Sequence, residues 1–174
     1  LAAPDLKLAF VFSDWRLDPR ALAATYRALR VPVVGGTTVG VVGAKAPLGQ
    51  DGITSIACAV GIGFYGDWLR VGLGVAPELS KSALTRSRDA VNRAAQALGI
   101  TANALDPARH IALTVLDGTC GHEEAFCIGS AAAAPQIRFV GGCTWTVGPS
   151  RRDTIWVNGE AMHDAGAVVL LESA

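Results

Sequence analysis

Between Asp117 and Glu124 the chain reads DGTCGHEE, which gathers a thiol, an imidazole and three carboxylates in one short stretch. Cys120 stands between an apolar run and a helix-forming stretch, and a helix N-terminus lowers a thiol's pKa. With His122 as base, that is the spacing of a cysteine-dependent hydrolase. Side chains two positions apart usually diverge, however, and no third group orients the imidazole. Zinc is the other chemistry to weigh, since Cys120, Cys127, Cys143 and His122 are all thiol or imidazole ligands. Structural zinc sites use closely spaced cysteine pairs, and the chain has none, so no metal is expected. Glu123 and Glu124 open a helix, where the macrodipole alone favours acidic side chains.

Gly61, Gly63 and Gly66 satisfy the G-x-G-x-x-G spacing of dinucleotide-binding loops. That fingerprint must open a helix, because the pyrophosphate rests on the helix N-terminus. Here the glycines run into the alternating stretch DWLRVGLG, so the sequence predicts a glycine-rich turn between two strands and no cofactor.

A stronger signal is a phrase written twice. Val34-Gly35-Gly36-Thr37-Thr38 matches Val140-Gly141-Gly142-Cys143-Thr144. Each copy follows an apolar run that closes on an aspartate, Asp14 or Asp117, and a helix-like stretch lies between run and phrase. The reading is a pair of β-α-β-β units, which two copies would join around one core. A strand ending in Gly-Gly and small hydroxyl residues exposes backbone N–H groups and lets a ligand or another backbone approach closely. The candidate ligand-binding residues are therefore Gly36, Thr37, Thr38, Gly142, Cys143 and Thr144, with Asp117, Gly118 and Glu123 at the mouth. Glycine amides and threonine hydroxyls would hold a carboxylate, and Asp117 or Glu123 an amine. The bland alternative is that the glycines only permit bends and close packing.

The elements that must position these residues are legible in outline. Leu6 to Phe12 reads as a buried strand, Asp18-Pro19 as a helix start, and Leu22, Tyr26 and Leu29 as that helix's apolar stripe. No period is evident from Thr37 to Gly52, which reads as a long loop, and Ile53 to Val60 as the next strand. Leu69 to Val75 alternates as a half-exposed strand. Ser80 to Leu98 is the longest helix, with Leu84, Val91, Ala94 and Leu98 on one face and Gly99 as its stop. Ile111 to Leu116 is a strand, and Glu123 to Ala133 a shorter helix. Thr154 to Val157 pairs with Ala167 to Leu171 across a turn near Asn158-Gly159. Adjacent strands and helix-linked strands occur together, so the fold class is α/β (mixed α+β), with mixed sheets covered by helices.

Hydrophobic residues form 51% of the 174 and charged ones 17%, ample for a large core. Fifteen basic residues balance 15 acidic ones, which removes the positive field that nucleic-acid binding needs. No apolar run reaches the roughly 20 residues of a membrane span, and no signal pattern opens the chain, so the cytoplasm is the expected location. The chain begins at Leu1 and is expected to be an excised part of something longer.

The order AFVFSD, PVVGGTTVG, LRVGLGVAPELS, LDGTCGHEE, RFVGGCTW, IWVNGE and GAVVLL resembles the FIST N-terminal domain over nearly the whole chain. The resemblance implies a non-catalytic sensory domain over 1–174; the doubled phrase places pseudo-repeats within it at about 5–76 and 108–174, joined by a strand at 68–76 and a helix at 80–98. It implies intracellular signal transduction, a small-molecule ligand such as an amino acid, and a second FIST module or signalling domain as partner. No catalytic residues carry over. The family's Gly-Cys-Thr-Thr-x-Gly-Glu is replaced here by Gly35-Gly36-Thr37-Thr38-Val39-Gly40-Val41, which removes an acidic group. A protein-interaction scaffold and the Cys120 hydrolase stand as the alternatives.

Overall fold

Residues 4–39, 59–146 and 153–173 are described by a computed structural model of the chain. The apolar run at the start forms β1 (Leu6–Asp14). Helix α1 (Pro19–Arg27) then carries the chain back to β2 (Val33–Thr38), which runs parallel to β1. The helix starts where expected. The Asp18 carboxylate accepts from the Arg20 backbone N–H at 2.9 Å, and Pro19 sits where a missing N–H costs nothing. Strand β3 (Ala59–Tyr65) lies antiparallel on the other side of β1.

The second half repeats this pattern. Strand β5 (His110–Leu116) leads through α3 (Glu123–Ala133) to β6 (Arg138–Cys143), parallel to β5. The last strand, β9 (Ala165–Ser173), lies antiparallel on the far side of β5. The registers match as well as the topology: Phe12 stands opposite Gly36, and Val115 opposite Gly142. In each half the second glycine of the phrase therefore faces the residue two positions before the strand-end aspartate.

Three further strands and a helix complete two mixed sheets. Strand β4 (Leu69–Pro77) pairs with β9, and the hairpin of β7 (Ile155–Val157) and β8 (Glu160–Met162) adds to β2. The orders are β3-β1-β2-β7-β8 and β4-β9-β5-β6. Leu8, Phe10, Val34, Val115, Ile155 and Val169 fill the space between the sheets. Helix α1 covers the outer face of the first sheet over Val11, Val33 and Trp156. Helices α2 (Leu79–Ala97) and α3 cover the second over Ala112, Leu116, Val168 and Leu170. Helix, sheet, sheet and helices make four layers, each buried face supplied by the alternation that the strands carry.

Ala59 and Val60, the end of the expected strand at Ile53 to Val60, lie in β3; residues 53–58, and residues 40–52 of the expected loop, lie outside the described ones. Other expectations need correction. Gly61 and Gly63 are within β3, and only Gly66, at φ 115°, makes the turn. That turn is not a hairpin, because β3 and β4 belong to different sheets. Thr154 to Val157 does not pair with the last strand. The Asn158-Gly159 turn, with φ of 52° and 79°, closes β7 onto the short β8, as the turn chemistry favours. The final apolar run instead fills the middle of the other sheet, between β4 and β5. Leu84 is 49% exposed, so the buried face of α2 runs through Ala83, Ser87, Ala90, Val91 and Ala94.

Candidate functional site

The carboxyl ends of β2 and β6 come together. Thr38 forms a parallel bridge with Trp145, two residues beyond the end of β6. Gly36 lies so close to Thr144 that a Cβ there would be 2.2 Å from Thr144 Cγ2 and 2.7 Å from the Thr154 carbonyl oxygen. The glycine at 36 is thus required by close packing of the two sheets. Gly142 is different, since a Cβ there would meet no described residue within 4 Å. In α/β sheets, ligands favour the region beyond the carboxyl ends of parallel strands.

The hydroxyl groups at this junction are engaged. Thr37 Oγ1 accepts from the Thr154 backbone N–H at 3.0 Å and lies 3.3 Å from the Thr154 carbonyl oxygen. Thr144 Oγ1 donates to the Leu116 carbonyl at 3.1 Å and accepts from the Gly118 N–H at 3.3 Å. Neither hydroxyl is left over for a ligand carboxylate.

The two strand-end aspartates are also satisfied, by different means. Asp14 is held by Arg16, whose Nε and Nη2 donate to it at 2.8 and 2.6 Å and whose backbone N–H adds a bond at 2.9 Å. The Arg16 hydrogen bonds hold the Asp14 carboxyl below its ordinary range, against an opposing effect of burial. Asp117 accepts from the Thr119 hydroxyl and backbone N–H at 2.7 and 2.9 Å, and from the Asp164 N–H at 2.6 Å. Its carboxylate ties the β5 turn to the loop before β9 and is committed to protein donors.

Asp153, a residue that the sequence did not single out, is not satisfied. It is fully buried, and among the described residues neither carboxylate oxygen has a hydrogen-bond partner. Its backbone N–H donates to Thr119 Oγ1 at 3.3 Å, and its carbonyl lies 2.6 Å from His163 Nδ1. Oδ2 lies 3.2 Å from the point where Gly118 would carry a Cβ, next to Cys143. Among the described residues, Ser13 Oγ and Thr146 Oγ1, on segments at this same end, are also buried and unpaired, as are Tyr26 Oη, His110 Nε2 and Ser130 Oγ elsewhere. Buried polar groups are nearly always hydrogen-bonded, so unpaired ones gathered at a junction point to something that joins them.

The thiols report the same acidic surroundings. Burial of the sulfur pushes the Cys143 thiol up although the residue itself is exposed, and Glu123, Cys127, Asp153 and Asp117 push the same way. Burial likewise raises the Cys120 thiol, with Asp117, Glu123 and Asp164 adding to it and only a backbone hydrogen bond at His122 opposing. A nucleophilic thiolate needs the reverse. Among the described residues no group of three or more His, Cys, Asp and Glu could hold a metal.

The structure therefore brings Gly36, Thr37, Thr38, Asp117, Gly118, Cys143 and Thr144 to one junction. Glu123 is near enough to act on the Cys143 thiol, while Gly142 faces open space. Asp153 was missed for a plain reason: in RRDTIWV it follows two arginines and reads as a solvated loop residue. No other signal in the sequence marks it. A separate groove of about 480 Å³ lies between β4 and the β7–β8 hairpin, lined by Leu73, Val75, Arg93, Val157, Glu160 and Met162. Arg93 there already donates to the Val75 carbonyl at 2.8 Å.

Two mixed sheets, faced by helices and meeting near the carboxyl ends of β2 and β6, define a mixed α/β domain. Residues 7–174 match the FIST N domain, essentially the whole chain, and the chain belongs to that family of signal-transduction sensory domains. No curated protein matches it. No described helix is long and apolar enough to cross a membrane.

Proposed function

We propose that the chain is a non-catalytic sensor that binds a small amine, such as the ammonium end of an amino acid, at the junction of β2 and β6. The observation that carries the reading is the Asp153 carboxylate, fully buried beside Gly118 with no hydrogen-bond partner among the described residues. A charged group in that state is costly unless a donor reaches it. A compact cation with several N–H donors is the complement, since each hydrogen bond to a charged group contributes about 1.5–3 kcal/mol. Glu123 and Asp117 add to a field that favours cations over plain carboxylates. Asp117 is then a positioning residue that fixes the Thr119 turn around Asp153. Binding would be passed to a second FIST module or another signalling domain, in the cytoplasm. The pseudo-repeats at 5–76 and 108–174 fit this reading, because each supplies one of the two strand ends.

A thermal-shift screen of amino acids, simple amines and small carboxylates tests it. Amines and amino acids are expected to raise Tm, and the matching carboxylates without nitrogen are not. Thr38→Val and Thr144→Val should diminish the response by loosening the junction. A response to carboxylates alone would contradict the proposal.

A further inference from the structure

Strands β2 and β6 hold equivalent places, yet among the described strands only β2 carries a neighbour on its outer side. There β7 runs antiparallel, with Trp156 opposite Gly35. The bare backbone at Gly35 admits it. A Cβ would lie 1.7 Å from the Val11 carbonyl oxygen and 3.0 Å from Trp156 Nε1, and the indole N–H donates to that same carbonyl at 2.7 Å. Trp156 is fully buried and meets Tyr26 of α1 edge-on, with ring centroids 5.8 Å apart.

The second half repeats this cradle with no plug in it. Gly141 stands opposite Thr114 as Gly35 stands opposite Val11. A Cβ at Gly141 would fall 2.1 Å from the Thr114 carbonyl oxygen and 2.2 Å from its Oγ1. Around it the edge is open: Val140 is 54% exposed, and Gly141, Gly142 and Cys143 are exposed too. Sheet edges are normally guarded by charge, proline or a covering element. Strand β6 has only Arg138 at its start.

We propose that the outer edge of β6 takes an antiparallel strand from a partner polypeptide, with a tryptophan opposite Gly141 in the register that β7 adopts on β2. Main-chain hydrogen bonds would supply affinity, and the indole in the Gly141 cradle specificity. A second copy is the weaker fit. Pairing β6 with itself about Val140 would set Phe139 opposite Gly141, but that ring packs against its own core and has no N–H to donate.

The test uses the whole chain and a fluorescently labelled peptide spanning residues 153–163, which carries the β7 sequence. Saturable binding is expected in fluorescence anisotropy. Changing the peptide's tryptophan to alanine should weaken it by about tenfold or more. Gly141→Leu would block the cradle but strike the Thr114 backbone, so Val140→Lys is the better protein variant. It alters an exposed side chain and should weaken binding at an unchanged Tm. Absence of saturable binding, or binding indifferent to both changes, overturns the proposal. So does concentration-dependent dimerisation of the chain alone that Val140→Lys abolishes, which would assign the edge to a second copy.

Discussion

The two halves of this domain share a phrase, a topology and a register, yet they treat their strand ends in opposite ways. In the first half the strand end is closed on three sides, although Ser13 Oγ beside it stays buried and unpaired among the described residues. Trp156 closes the outside of β2, Thr144 presses on Gly36, and Arg16 neutralises Asp14. In the second half the outer edge of β6 is exposed, and among the described residues nothing crowds Gly142 and nothing pairs with the buried Asp153 near the end of β6. The difference teaches that a repeated motif need not mean a repeated role. One copy can serve as scaffold, which frees the other to keep unsatisfied groups for binding.

Substitutions at equivalent places should expose that asymmetry. The largest effect is expected at the seal. Trp156→Ala removes a fully buried indole and its bond to Val11, and chemical denaturation should show a loss of about 3–5 kcal/mol. Val140→Ala on the open edge should stay within about 0.5 kcal/mol. Comparable losses at both would break the comparison. Next are the paired glycines. Gly36→Ala forces a methyl onto Thr144 and the Thr154 carbonyl and should cost about 1–3 kcal/mol, whereas Gly142→Ala enters open space and should be neutral or gain up to about 1 kcal/mol.

Arg16→Ala should cost about 1–3 kcal/mol near neutral pH, with solvent around the half-exposed arginine holding the value down. The folded Asp14 carboxyl is depressed below its ordinary 3.8. Its contribution is therefore complete above that value and is lost as the pH falls through the folded pKa. Urea titrations across the acid range should show this limb in the parent and a flatter one in the variant. The smallest effect is at Tyr26, whose hydroxyl is buried and unpaired and whose pKa burial pushes up to about 12. Tyr26→Phe should gain about 0.5–1 kcal/mol. In the parent, stability should decline as the pH rises from 10 toward 12, because only the folded state still holds that proton. The phenylalanine variant should lose that decline.

Much of the fold was legible because it rests on local chemistry. Asp18-Pro19 started α1, Glu123 to Ala133 became α3, and the doubled Gly-Gly phrase marked matching registers. What the sequence hid was pairing between distant segments. The apolar run at Ala165 to Ser173 carries no sign that it will slot between β4 and β5 instead of closing a hairpin. The expectation set Gly36 to Thr38 facing Gly142 to Thr144 across a crevice; Gly36 instead packs directly on Thr144, since a glycine allows both a ligand's approach and a neighbour's. Asp117 drew notice by its place after an apolar run, and the structure fills that carboxylate with N–H and O–H donors. Asp153 is the opposite case: ordinary in sequence, and singular only once folding has buried it where no described residue hydrogen-bonds its carboxylate.

The central claim is that Asp153 is left unpaired for a ligand, and Asp153→Asn tests it most directly. A buried uncompensated charge lowers stability, and binding sites commonly give up stability for function. This variant is expected to be about 1–3 kcal/mol more stable than the parent in chemical denaturation and to respond no longer to amines in the thermal-shift screen. A variant that is less stable than the parent and still responds fully to amines would contradict it.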